Sequence, residues 1–225
     1  MKFLVNSLII LSALVSTHVF AVETDNFADN GFYVVGQVGS GKVDKGFLDD
    51  FMGSTKLTNN SGFAGRLGVG YQLNRYFALE GGLAAYPSAV RDYDNARGLN
   101  LWGVGTKRVG SSDINGIYSI DMMGMARLPI GNYFFVGAGA GLAVMQFNYS
   151  AMHVTNADST SPNWEAGSAN FIAPKAELRL GSKVNQQTTV YLSTSYIFSV
   201  NGTNPNVRNY QPGLSMIAVG VNYSL

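Results

Sequence analysis

The chain has no cysteine and a single histidine beyond its first twenty-one residues, and its charged side chains amount to only 13% of the total. Each shortage excludes something. Without cysteine there is no disulfide framework and no thiolate metal site, so stability has to come from backbone hydrogen bonding and burial. The charged share is about half that of an ordinary soluble domain. Nor is there an apolar run of the roughly 18 residues that a membrane-crossing helix needs, and the mean hydropathy is only +0.08. A basic surface for nucleic acid is missing too. Apart from Lys2, the basic residues only equal the 14 acidic ones, and none of them cluster, so no nucleic-acid partner is expected. What is abundant is glycine, 27 residues, with 12 tyrosines and 13 phenylalanines. A chain short of charge and short of apolar runs hides its apolar residues in alternation, which hydropathy windows average away.

Residues 1–21 read as a secretory signal peptide: Lys2, an apolar stretch from Phe3 to Val15, and Val19-Phe20-Ala21 as a small-x-small cleavage site. The apolar core, interrupted by Asn6 and Ser7, is too short for a permanent anchor. The mature domain is therefore expected to be 22–225, beginning at Val22.

That domain divides into eight segments in which apolar side chains recur at every second position, the period of a strand. They start near Phe32, Phe63, Phe77, Ile117, Phe134, Ile172, Val190 and Ile217. Connections near Leu73-Asn74-Arg75, Pro129-Ile130-Gly131-Asn132 and Lys183-Val184-Asn185-Gln186 are tight. Those spanning 42–62, 87–114, 148–169 and 200–212 are long and polar. Short turns on one rim and long loops on the other predict an all-β fold, an eight-stranded antiparallel up-and-down transmembrane β-barrel. Closure also removes the free sheet edges that lipid does not tolerate.

The polar face decides which side meets lipid. It carries Gln37, Arg66, Glu80, Asp121, Arg127, Lys175, Glu177 and Arg179, diluted by Gly, Ala, Met and Ser. Seven charges over eight strands are too few for a surface standing in water, as in a lipocalin-type barrel. In an enclosed lumen they can pair, and a buried charge costs several kcal/mol unless it does. A lumen network is predicted, centred on Arg66, Glu80, Asp121, Arg127, Glu177 and Arg179. The competing reading lets Lys175 and Arg179 simply reach water at a rim. Phe32, Tyr71, Phe77, Phe134, Phe198 and Tyr223 fit aromatic girdles at the bilayer interfaces.

Other motifs carry less. Gly36 to Lys42 spells Gly-x4-Gly-Lys, but Val43 replaces the hydroxyl that would hold magnesium and the glycines lie within a strand instead of following one. No cofactor, metal or catalytic residue is expected. His153-Val154-Thr155 resembles the His-x-Ser stretch of outer-membrane lipid A deacylases, yet it falls in an expected loop and offers a β-branched hydroxyl. In the loops, Phe47, Leu48, Phe51 and Met52 have the spacing of one amphipathic helical turn. Arg91, Asp92, Tyr93, Asp94, Arg97, Trp102, Lys107 and Arg108 make 87–114 the strongest expected contact surface, since Trp, Tyr and Arg dominate hot spots.

Gly70 to Gly82, which reads GYQLNRYFALEGG, resembles the second strand, first periplasmic turn and third strand of OmpA-like and opacity-protein-like outer-membrane barrels. Gly31 to Gly36 and Gly220 to Leu225 resemble the opening and the ending of the same family. The resemblance implies a place in the bacterial outer membrane among lipid and lipopolysaccharide, and insertion by the outer-membrane assembly machinery. It also implies an assembly signal at Val221, Tyr223 and Leu225, where Leu225 departs from the usual Phe, and a lumen role for Glu80. Eight strands enclose a bore that side chains fill. The expectation is a non-enzymatic surface protein whose loops 42–62, 87–114 and 148–169 serve adhesion, host contact or envelope integrity. A narrow porin-like channel is the alternative, with a lipid A-modifying enzyme using His153 behind it.

Overall fold

The computed structural model describes residues 31–44, 55–94, 109–150, 153–155, 167–198 and 212–225. Among them there is no helix, and eight antiparallel strands form the staves of a closed barrel. In chain order these are β1 (Gly31–Asp44), β3 (Ser61–Gln72), β4 (Phe77–Tyr86), β6 (Val109–Ile130), β7 (Phe134–Tyr149), β9 (Gly167–Lys183), β10 (Thr188–Ile197) and β11 (Gly213–Ser224). Each pairs with the next, and β1 closes on β11 from Tyr33↔Ser224 to Asp44↔Gly213. Three short segments, β2 (Thr55–Thr58), β5 (Ala89–Asp94) and β8 (His153–Thr155), lie toward the other rim.

The parity read from the sequence is the parity of the wall. On β3, Phe63, Leu67 and Val69 point out while Ala64 and Arg66 are buried; on β4, Leu79 and Leu83 point out and Glu80 is buried. Phe32 and Tyr71, neighbours across β1 and β3, stack on the outside with ring centres 4.8 Å apart.

Two short turns share one design. Asn74 Oδ1 accepts the backbone N–H of Tyr76 (2.8 Å) and Phe77 (2.9 Å). Asn185 Oδ1 accepts those of Gln187 (2.9 Å) and Thr188 (2.7 Å). In both, the residue before the Asn donates to the first residue of the next strand at 2.9 Å. A short carboxamide thus replaces the backbone partners that the chain reversal removes.

The opposite rim departs from expectation. The stretches 42–62, 87–114 and 148–169, expected as loops, contain strand: the end of β1, β2, the start of β3, β5, the outer part of β6, the end of β7, β8 and the start of β9. β6 alone has 22 residues, about twice the roughly 9–11 that a tilted strand needs to cross a bilayer. Its outer part pairs with β5 on one side and β8 on the other, and β5 pairs with β2. This extension was illegible because an outer sheet in water has no lipid face to impose alternation. A bulge also breaks the period. Gly116 sits at φ +58, the register with β7 shifts between Asn115 and Tyr118, and Ile114 and Ile117 both end up buried. Only a residue at ease in the left-handed region permits that step.

Inside, the lumen is layered. Toward the outer rim it is packed with apolar side chains, among them Val43, Tyr86, Ile117, Met145, Phe147 and Met216. Toward the short turns a second cluster holds Tyr33, Val35, Ala78, Met123 and Met125. Arg66, Glu80, Asp121, Lys175, Glu177 and Arg179 lie between them.

Candidate functional site: the lumen charge network

Arg66 projects from β3 and is 1% exposed. Its Nε donates to Asp121 Oδ1 and Oδ2 at 3.1 and 3.0 Å, and its Nη2 to Oδ1 at 2.6 Å. Its remaining nitrogen, Nη1, reaches Glu80 Oε2 at 3.3 Å. Asp121 also accepts Lys175 Nζ at 2.7 Å. On the far side of Glu80, Arg179 makes a two-pronged contact of 2.6 and 2.7 Å, and its Nε donates to Glu177 Oε1 at 2.7 Å. Gln37 Nε2 ends the chain on the same Glu177 oxygen at 2.6 Å. Lys175, Asp121, Arg66, Glu80, Arg179, Glu177 and Gln37 thus form one connected path across the bore, supplied by β9, β6, β3, β4 and β1. Three cations meet three carboxylates, and the ion-paired side chains are shut off from solvent.

The barrel positions these groups by register. Gln37 lies opposite Arg66 across β1 and β3. Lys175, Glu177 and Arg179 are alternate residues of β9, so all three point inward. Glycine makes room for the largest of them. A Cβ at Gly82 would lie 2.8 Å from Arg66 Nε and 2.9 Å from Cζ, so the guanidinium rests on bare backbone.

Lys175 and Arg179, for which a rim position in water was the competing reading, are deeply buried instead. Arg127 is placed differently from its predicted neighbours. It shares the inward face of β6 with Asp121, but six residues along a strand is about 20 Å. It makes no ion pair among the described residues. Its guanidinium lies over the Phe135 ring, 4.7 Å from the centroid. Three participants were not named from sequence. Tyr33 donates from its hydroxyl to Glu80 at 2.8 Å, Ser193 faces Gln37 at 3.5 Å, and Tyr191 lies under Arg179 at 4.7 Å. Parity was the available signal, since Tyr33 shares the face of Gln37 and Tyr191 that of Ser193.

Val221 and Tyr223 line the outer face of β11, and Leu225 follows its end, exposed. There the Tyr223 hydroxyl meets Gln187 Oε1 at 3.2 Å, and the backbone of Leu225 donates to Phe32 at 3.0 Å. The Gly36–Lys42 stretch is part of β1. His153 begins β8, paired with Ser111 of β6, so it stands on a strand and not in the loop expected from sequence. Arg91, Asp92, Tyr93 and Asp94 lie on β5. Residues 1–21, Phe47 to Met52, Arg97, Trp102, Lys107 and Arg108 fall outside the described residues.

Chemically, this arrangement is a plug. Its carboxylates are held by cations, with the Tyr33 hydroxyl also on Glu80. Two cavities of about 10 and 80 Å³ lie on the short-turn side.

The chain also resembles known proteins. The profile of the outer membrane protein beta-barrel domain matches residues 7–224. An uncharacterized protein of Coxiella burnetii (strain RSA 493 / Nine Mile phase I) is 33% identical over 220 residues, covering 88% of this chain and 87% of the relative. Among solved structures, OprG from Pseudomonas aeruginosa superposes with a TM-score of 0.54 at 14% identity, over 90% of this chain and all (100%) of that one. Neisserial surface protein A does so with a TM-score of 0.50 at 14% identity, over 88% of this chain and 100% of its own. At such identities the two structures speak for the fold.

Proposed function

This chain belongs to the outer membrane protein β-barrel family and resides in the bacterial outer membrane, and from that membership we propose a non-enzymatic surface protein that acts through its outer rim. One observation carries the reading: the bore is closed in the middle by a neutral, solvent-free network, while β6 continues past the barrel as the spine of a β2–β5–β6–β8 sheet. Matter does not pass where Arg66, Glu80 and Asp121 touch. The part of the molecule left for encounter is the projecting sheet and the segments joined to it, serving adhesion, host contact or envelope integrity. Its surroundings are outer-membrane lipid and lipopolysaccharide, reached through the assembly machinery, with residues 1–21 as the export signal.

The test replaces 87–114 by a short turn. Heat-modifiable gel mobility is expected to survive, because the membrane-crossing staves are intact, while binding to cells or surface ligands is lost. Binding that persists removes the outer sheet from the function. A steady single-channel conductance of the unaltered protein in planar bilayers would establish the porin-like channel instead. Altered lipid A in cells expressing the protein, absent from the His153→Ala variant, would establish the enzyme.

A further inference from the structure

We propose that the vestibule at the periplasmic, short-turn mouth binds a small phosphate-class oxyanion against Arg127. The starting point is charge. Arg66, Lys175 and Arg179 consume Asp121, Glu80 and Glu177, leaving Arg127 as a fourth lumen cation with no carboxylate partner among the described residues. A lysine in that position would relieve itself by losing its proton. A guanidinium does not, and it keeps five N–H donors in a rigid fork. Phe135 covers one face of that fork.

The fork fronts a cavity of about 80 Å³, several times the roughly 10–15 Å³ that a single water requires. Its described walls include Arg127 and Lys183 and carry no Asp or Glu; the backbone carboxylate of Leu225 is also on the wall but makes no ion pair with Arg127. They also include Asn222, which is 4% exposed and has neither Nδ2 nor Oδ1 hydrogen-bonded. An amide buried beside a cavity without a partner is a costly arrangement. Water in the cavity would satisfy the amide but leave the guanidinium without a counter-charge. An oxyanion answers both, accepting from the Arg127 fork and from Asn222 Nδ2, with the Thr189 hydroxyl on the same wall.

The same chemistry is offered by inorganic phosphate and by a phosphomonoester headgroup, so both serve as probes. The full chain is refolded into a sugar-headgroup detergent free of phosphate, and its thermal unfolding midpoint is followed. Inorganic phosphate is added against chloride at equal ionic strength, and separately phosphatidic acid is mixed into the micelle. Phosphate at millimolar concentration is expected to raise the midpoint where chloride does not. Arg127→Gln should weaken the apparent affinity at least tenfold and Asn222→Ala severalfold, while Arg75→Gln on an exposed turn leaves it unchanged. A response to phosphatidic acid without one to inorganic phosphate assigns the site to a headgroup. No anion-specific response in the native chain overturns the proposal, and so does a response unaltered by Arg127→Gln. If Arg127→Gln fails to fold, Asn222→Ala decides, and an unaltered response there is equally fatal.

Discussion

In the middle of the lumen each arginine meets carboxylates from two other positions, whereas at the short-turn end Arg127 meets an aromatic face and a cavity. Both regions belong to the same inward face, and both are lined by the same kinds of residue. The difference is depth. Asp121 and Arg127 share a strand and a parity, but about 20 Å of strand separates them, and only the first is hydrogen-bonded to Arg66 and Lys175. Ionic pairing in this barrel is a property of a level, not of a face. Removing a partner at the crowded level should therefore be severe, and removing the isolated cation mild.

The largest effect is expected from Glu80→Ala. Glu80 receives Arg66, both prongs of Arg179 and the Tyr33 hydroxyl, so its loss takes one of two carboxylate partners from each of two buried guanidinium groups. Breaking a buried pair from one side costs about 3–5 kcal/mol. Urea unfolding in micelles, followed by tryptophan fluorescence and gel mobility, should show the midpoint collapse. A loss under about 1 kcal/mol, the range of an exposed pair, would mean that water reaches the network and that the bore is not closed.

Gly82→Ala tests the same level without touching a charge. The added methyl meets the Arg66 guanidinium 2.8–2.9 Å away, and overpacking of this kind costs roughly 1–3 kcal/mol. Arg66 is tied down at Asp121 and Glu80 and has little freedom to withdraw. The same assay of the double variant Gly82→Ala/Arg66→Ala should show less than additive loss, because the methyl then has no guanidinium to displace.

Why did the level escape the sequence while the face did not? Alternation reports which of two sides a residue takes, and lipid enforces it along every crossing strand. Arg66 opposite Leu67, and Glu80 opposite Leu79, are legible for that reason. Depth depends on register between staves, which the turns and the shear of the closed barrel set together. No single segment contains that information. Arg127 was therefore grouped with partners it does not meet, and Tyr33 and Tyr191, whose rings reach the network from a level below, went unnamed. At the outer rim even the face was lost. Gly116 resets the alternation of β6, and beyond it the pairs with β5 and β8 are held by backbone hydrogen bonds that leave no hydrophobic signature.

A smaller effect should come from the turn asparagines, which take no part in the lumen network. Asn185→Ala removes two accepted backbone hydrogen bonds at 2.9 and 2.7 Å, and Asn74→Ala removes a matching pair at 2.8 and 2.9 Å. Exposed donors return to water, so each substitution should cost only about 1–2 kcal/mol. The two should agree closely, since the turns share a design. A disagreement in the urea midpoint beyond the experimental spread would show that one turn also carries strand register.

The smallest effect is expected from Arg127→Gln in phosphate-free medium. The change gives up the contact with Phe135, worth about 0.5–2 kcal/mol, and at the same time removes an unpaired, partly buried charge, which works in the opposite direction. The two terms nearly cancel, so the unfolding midpoint should move by less than about 1 kcal/mol, well inside the loss at Glu80. Arg179→Gln is the matched control, because it abandons Glu80 and Glu177 together and should fall with the severe group. Were Arg127→Gln as damaging as Arg179→Gln, Arg127 would have a hidden partner, and the contrast between the two levels of the lumen would dissolve. If instead the gap between them narrows only when phosphate is present, the anion is the partner that the vestibule lacks.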